Sequence, residues 1–291
     1  MGGGFLGKFP LYKVQHLCFT LRPQSRKEFR MPKPRVLVLR APGTNCDVET
    51  AFAFEMAGAE AVKLHVNQLI EHPDLATNFQ ILCFPGGFSY GDDIAAGQIL
   101  ATQLQTFLAD TLESFRQHDR LVLGICNGFQ IMMRLGIFFD TSASVQPATL
   151  TWNQQGRFDS RWVHLKPETD NCVFLRGIGE CYLPMAHAEG RFLFRDDEAE
   201  KLLTEQQQIV LRYSDSDGKT GQEVLPFPSN PNGAQGNVAG ICDSTGRIFG
   251  LMPHPERHLF ATNHPQWTRR DTQPEHGEGL KFFENAVAYF G

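Results

Sequence analysis

Residues 120–136 read RLVLGICNGFQIMMRLG. An apolar run, Leu121–Ile125, stops at a single cysteine, and a second apolar stretch starts at once. Such a run, near-continuously apolar, is the pattern of a strand buried on both faces. The stretch after it has the spacing of a helix. Cys126 stands at the join with Gly124 and Gly128 on either side. Gly-x-Cys-x-Gly at a strand-to-helix turn is a way of lifting a nucleophile above a sheet, because the glycines let the backbone pass close. A thiol there also lies at the positive end of the helix macrodipole. Taken alone, the motif fits equally well with a buried cysteine packed between glycines.

The same alternation recurs upstream. Strands are predicted in RVLVLRAPG (35–43), AVKLHV (61–66) and QILCFPGG (80–87). A helix with Gly58 as its stop follows the first strand. GQILATQLQTFLADTLESFRQH (97–118) reads as one long amphipathic helix. Strand, helix, strand, helix with apolar strands predicts an α/β fold, a mostly parallel sheet with helices on both faces. Ligands of such sheets bind beyond the carboxyl ends of the strands. From about residue 149 the texture changes to short, aromatic, β-rich pieces, predicting an antiparallel second part. GLKFFENAVAYF closes the chain as a helix. No repeat or low-complexity tract interrupts residues 33–291, which read as one domain.

Residues 1–32 are different. Six basic residues against Glu28 give the first 30 a net charge of +5, so the rest carries −10 of the total −5. This basic segment is expected to be a poorly ordered extension, with a transit peptide as the other reading. Met31 is a candidate start of translation. The acidic remainder argues against nucleic acid as a partner, since phosphate binding needs clustered Lys and Arg. No run nears the ~18 apolar residues of a membrane span. Seven cysteines, with no CxxC pair, suggest reduced thiols in the cytoplasm and argue against structural zinc.

Two further pieces carry chemistry. In LMPHPERH (251–258), His254 and Glu256 are two apart, each beside proline. A residue before proline is held extended, and at a spacing of two in an extended chain both side chains share a side. An imidazole beside a carboxylate is a base held in one tautomer. The plainer reading is an exit loop with an exposed glutamate. In FPGGFSYGDD (84–93), Gly86 and Gly87 follow a strand and offer backbone N–H groups to an oxyanion; an ordinary tight turn is the alternative. Asp92 and Asp93 are read as a helix cap or solvent-exposed, with no metal site expected. APGTNCD (41–47) lacks both the Walker lysine and GxGxxG, so no nucleotide site is expected in this chain.

In this order and spacing, the Gly-Gly loop, the G-x-C-x-G elbow and the late H-P-E resemble the class I glutamine amidotransferases, which have a flavodoxin-like sheet. APGTNCD, FPGGFSYGDD, GICNGFQ, AHAEGRF (186–192), NPNG (230–233) and MPHPERH are similar, within that class, to the glutaminase subunits of phosphoribosylformylglycinamidine synthases. The resemblance covers roughly residues 35–290. It implies a triad of Cys126 as nucleophile, His254 as proton shuttle and Glu256 as its orienting carboxylate. It also implies an oxyanion site from the N–H groups of Gly87 and Asn127, with Gln130 facing the bound glutamine. His187 and Glu189, in HAEGRF, form a second acid–base-like pair, read as a glutamine-site or partner loop or as structural.

The implied reaction is hydrolysis of glutamine to glutamate and ammonia. The ammonia passes to a separate synthetase subunit, often with a small third subunit, in de novo purine biosynthesis. No cofactor is expected on this chain; ATP and Mg²⁺ are expected on the synthetase. Two rivals stand beside this reading: a stand-alone thiol hydrolase of γ-glutamyl amides, and a non-catalytic docking module.

Overall fold

The structure is a computed structural model that describes residues 1–3, 32–139, 145–221, 223–270 and 274–291. The expected basic extension, with Cys18 and Met31, lies almost wholly outside the described residues.

The first strand, β1 (Arg35–Arg40), is buried along its middle, as its apolar sequence requires. It pairs in parallel with β2 (Glu60–His65) on one side and β3 (Ile81–Phe84) on the other. β4 (Leu121–Ile125) continues the parallel ladder beside β3. Sheet order therefore reverses between β1 and β3. Right-handed crossovers then send the helix leaving β1 and the helices leaving β3 to opposite faces. The packing follows suit. α1 (Asp47–Met56) meets α7 (Leu280–Ala288), where the rings of Phe54 and Phe283 cross edge-on at 4.9 Å. α3 (Gln98–Phe107) packs instead against α5 (Asn127–Leu135), the helix after β4. The loops following β1 and β3 meet at this reversal. Cys46 N donates to Gly86 O (3.2 Å) and Phe88 N to Gly43 O (3.0 Å). An open crevice at such a point is where a doubly wound sheet takes its ligand.

The second half extends the same sheet. The full order is β2-β1-β3-β4-β11-β10-β9-β6-β7. β11 (Ile248–Leu251) lies parallel to β4, with Leu251 opposite Ile125. Beyond it, β10 (Val238–Cys242), β9 (Ile209–Ser214), β6 (Asp159–Pro167) and β7 (Cys181–His187) pair antiparallel. A separate ribbon joins β5 (Ala148–Thr151) to β8 (Arg191–Phe194). A parallel half with an antiparallel second part is the architecture expected from the sequence.

Two local expectations need correction. The helix expected over 97–118 is two helices, α3 and α4 (Ala109–Gln117), broken at Leu108 with φ −131°. Strand β2 ends at His65, whose ring nitrogen accepts from Asn67 N (3.2 Å) and so caps the short helix α2 (Val66–Glu71). A further helix, α6 (Asp197–Glu205), is capped by Asp196, whose Oδ1 accepts from Ala199 N (2.8 Å). Among the described residues no helix is long and apolar enough to cross a membrane.

Candidate active site

Cys126 occupies the single residue between β4 and α5, with φ 52° and ψ −105°. That conformation is strained for any residue with a Cβ, and strain of this kind concentrates at functional sites. The flanking glycines explain how the corner closes. A Cβ on Gly124 would overlap Sδ of Met132, and one on Gly128 would overlap the carbonyl of Phe84. Helix and strands thus approach more closely than a side chain permits. The sulfur is buried (4% exposed) and its thiol reaches Ala186 O at 3.6 Å.

The base arrives on the neighbouring strand. Three residues past the end of β11, His254 has φ −108° and ψ 89°, and its N–H donates to Pro184 O (2.8 Å). Its Nδ1 bonds Glu256 Oε1 at 2.6 Å, with both side chains buried. The pairing is as expected, but its backbone differs: Pro255–Arg257 form a 3₁₀ turn, not an extended segment. With Nδ1 engaged, Nε2 has no hydrogen-bond partner among the described residues. Burial alone would pull the His254 pKa down. The Glu256 carboxylate and the Cys126 sulfur, with Cys46 contributing, outweigh it and hold the imidazole well above its usual range. Imidazole and carboxylate meet directly, and the Cys126 sulfur is close enough for its charge to act on the ring.

A small cavity of about 30 Å³ lies over the sulfur, lined by Gly87, Cys126, Gln130, Ala186, His187 and Glu189 among others. Gly86 is not on this wall. It lies behind the base, where an added Cβ would be 2.8 Å from Cε1 of His254. The side chain of Asn127 ties the site together: Oδ1 accepts from Ser89 N (3.1 Å), and Nδ2 donates to Asp92 Oδ1 and Gln130 Oε1 (both 3.0 Å). Asp92 also accepts from Gly97 N (3.3 Å), just ahead of α3. Gln130 Nε2 donates to Glu189 O (2.6 Å).

His187 and Glu189 share the wall, but each side chain has its own partners. His187 Nδ1 meets Asn153 Oδ1 (3.0 Å), and burial, followed by the charge of His254, pulls its pKa down to about 3. It is a neutral wall residue, not half of an acid–base pair. Glu189 Oε2 accepts from Ala96 N (3.2 Å) and lies 4.0 Å from the Arg134 guanidinium.

Sequence reasoning passed over Cys46 and Arg257. Cys46 Sγ, a His254 ring nitrogen and a Glu256 oxygen lie within 4.8 Å of one another, a donor set that could geometrically hold a metal ion. The Arg257 guanidinium, 3.0 Å from the sulfur, places a positive charge there that disfavours a cation. The signal for Cys46 lay in APGTNCD, whose loop reaches the site only through the sheet reversal.

A strained thiol beside a carboxylate-held imidazole, at the carboxyl edge of a parallel sheet, makes and breaks acyl bonds through sulfur; the class that fold and corner define is the thiol amidohydrolases. The family model for CobB/CobQ-like glutamine amidotransferase domains matches residues 33–290. The phosphoribosylformylglycinamidine synthase subunit PurQ of Dehalococcoides mccartyi is 44% identical over 260 residues, covering 89% of this chain and 98% of that protein. PurQ of Methanococcus maripaludis is 44% identical over 268 residues, 88% of this chain and 97% of its own. A chain in the structure of PurLQS from Thermotoga maritima superposes with a TM-score of 0.65 at 28% identity, covering 89% of this chain and all of its own. The chain belongs to the CobB/CobQ-like glutamine amidotransferases, within the PurQ subunit family.

Proposed function

We propose that this chain hydrolyses glutamine as the glutaminase subunit of phosphoribosylformylglycinamidine synthase and hands the ammonia to its synthetase partner for de novo purine synthesis. The observation that carries the residue assignment is the corner itself: Cys126 at φ 52°, beside an imidazole whose Nδ1 is held at 2.6 Å by Glu256.

His254 takes the thiol proton of Cys126, and the sulfur attacks Cδ of the glutamine side chain. The carbonyl oxygen becomes an oxyanion, met by the N–H groups of Gly87 and Asn127. His254 gives its proton to the nitrogen as the C–N bond breaks, and ammonia leaves. The same imidazole then takes a proton from water, which attacks the thioester and releases glutamate and the thiol. Glu256 keeps the ring in one tautomer throughout. Gln130 and Glu189 border the space for the amino acid. ATP and Mg²⁺ belong to the synthetase subunit, and a small third subunit completes the complex, in keeping with the PurLQS assembly named for the Thermotoga maritima structure. The six cysteines among the described residues are all free thiols, which suits a cytoplasmic setting. Residues 33–291 are the amidotransferase domain, with 1–32 preceding it.

A cavity of about 30 Å³ holds roughly two waters. The space directly over the sulfur is narrow, and in this reading the wall gives way as glutamine enters. That favours an enzyme slow by itself and stimulated by its partner. The test is glutamine hydrolysis by the purified chain, alone and with the synthetase subunit, formylglycinamide ribonucleotide and ATP. Weak turnover alone and strong stimulation by the full mixture are expected. Rapid unstimulated turnover would favour a free hydrolase, and none in any mixture a docking module.

A further inference from the structure

A second buried thiol stands at the base and has no part in the reaction above. Cys46 is 1% exposed and sits in the loop between β1 and α1. Its N–H donates to Gly86 O (3.2 Å), and its thiol reaches Asn45 Oδ1 (3.2 Å). The sulfur receives Nη2 of Arg257 at 3.0 Å, and Arg257 Nε donates to Glu49 Oε1 at 2.8 Å. Sulfur, imidazole and the Glu256 carboxylate fall within 4.8 Å of one another. At Gly86 an added Cβ would be 2.8 Å from His254 Cε1 and 3.1 Å from Cys46 Sγ. Only a glycine there lets sulfur and ring approach from either side of one point.

We propose that Cys46 is a positioning residue for His254: its sulfur, anchored by Arg257 and the Gly86 carbonyl, is a second contact that fixes the imidazole and favours its protonated form. This rests on the amidohydrolase reading. Glu256 holds the ring through Nδ1 alone, and one hydrogen bond leaves a ring free to swing about it. The Cys46 sulfur, within 4.8 Å of a ring nitrogen, supplies the second point from the N-terminal end of α1, which packs on the 3₁₀ turn.

The charge logic agrees. Burial pushes the Cys46 thiol up to about 11, against the lowering influence of the neighbouring His254. The thiol is thus neutral near pH 7, and a neutral thiol can accept from an imidazolium. The other groups facing the ring are Glu256 and Arg257 on its own turn, Cys126 from the β4–α5 corner and His187 from β7. Each remains when Cys46 is replaced.

The experiment compares wild type, Cys46→Ala, Cys46→Val and Cys46→Ser in the full complex, reading kcat, KM for glutamine and the pH profile of kcat. Ala and Val remove the acceptor, and urea midpoints identify which of them folds as wild type does. In that variant kcat falls about tenfold with KM little changed, since misplacing a base acts on the chemical step. The alkaline limb moves to lower pH by about one unit, because the imidazolium loses the sulfur lone pairs beside it that favoured its charge. Cys46→Ser, which keeps an acceptor, restores the limb and most of the rate. A purely structural cysteine would leave the limb where it was. Wild-type turnover with an unmoved limb and unchanged kcat in the acceptor-less variant overturns the inference alone. A wild-type complex that leaves glutamine intact overturns the amidohydrolase reading and the inference with it.

Discussion

At the scale of single residues, the site depends on one sulfur placed in a conformation that few side chains tolerate. Cys126→Ser keeps the shape of the corner but exchanges a strong nucleophile for a weak one. Glutamine-dependent amidation should vanish in the complex, while activity with free ammonia on the synthetase persists; loss of both would mean that the substitution disrupts the assembly. The corner at Cys126 and the pairing of His254 with Glu256 were legible in the sequence because each lies in a short motif whose spacing carries meaning. The 2.6 Å bond between His254 and Glu256 was foreseen, though on the wrong backbone. A following proline extends the residue before it, but Pro255 also opens a helical turn, and the turn won. Cys46 was not legible as a neighbour of the base. APGTNCD marks its loop, but its place beside the base depends on a sheet reversal that brings the β1 and β3 loops together.

At the scale of elements, the β4–α5 corner shows which force decides its sequence. Gly128 lies inside a helix, where alanine is ordinarily favoured by about 1 kcal/mol. Here an added methyl would overlap the Phe84 carbonyl, a backbone atom held in β3. Overpacking of this kind costs about 1–3 kcal/mol, so the clash wins. Gly128→Ala should lower the urea midpoint, and a midpoint at or above wild type would show that the corner can relax. The long helix expected over 97–118 marks the limit of periodicity. Leu104, Leu108 and Leu112 keep a four-residue spacing across the break, and no Gly or Pro announces it. All three are buried on either side of the bend, so the apolar pattern is the same whether the segment runs straight or breaks at Leu108.

At the scale of the whole molecule, parallel order in the first half could be read from buried strands alternating with helices. The pairing of β11 with β4 could not, because the two are separated by more than a hundred residues and by the entire antiparallel part. That pairing is what brings His254 to the same end of the sheet as Cys126. Stability should carry a trace of the buried wall. His187 stays neutral in the folded chain down to about pH 3, whereas unfolded histidine binds its proton near 6.5. Between those values the unfolded state holds more protons, so stability falls as pH falls, by up to about 1.4 kcal/mol per unit. His254 works in the opposite sense: its raised pKa stabilises fully below 6.5, and that contribution is lost as pH rises through the folded value. Urea midpoints measured from pH 7 to 5 should therefore decline in wild type and decline less in His187→Gln. Equal slopes would remove His187 from the account.

The sheet distributes the site unevenly. Cys126 and His254 hang from adjoining strands deep in the ladder, whereas Ala186 and His187 belong to β7, which among the described residues is an outermost strand paired along one side only. Peripheral strands are the first to exchange their amide protons with solvent. Breathing at this rim would admit an amino acid while the central strands keep the reacting atoms in register, so deuterium uptake in 181–187 should outpace that in 121–125 and slow when a partner clamps the rim.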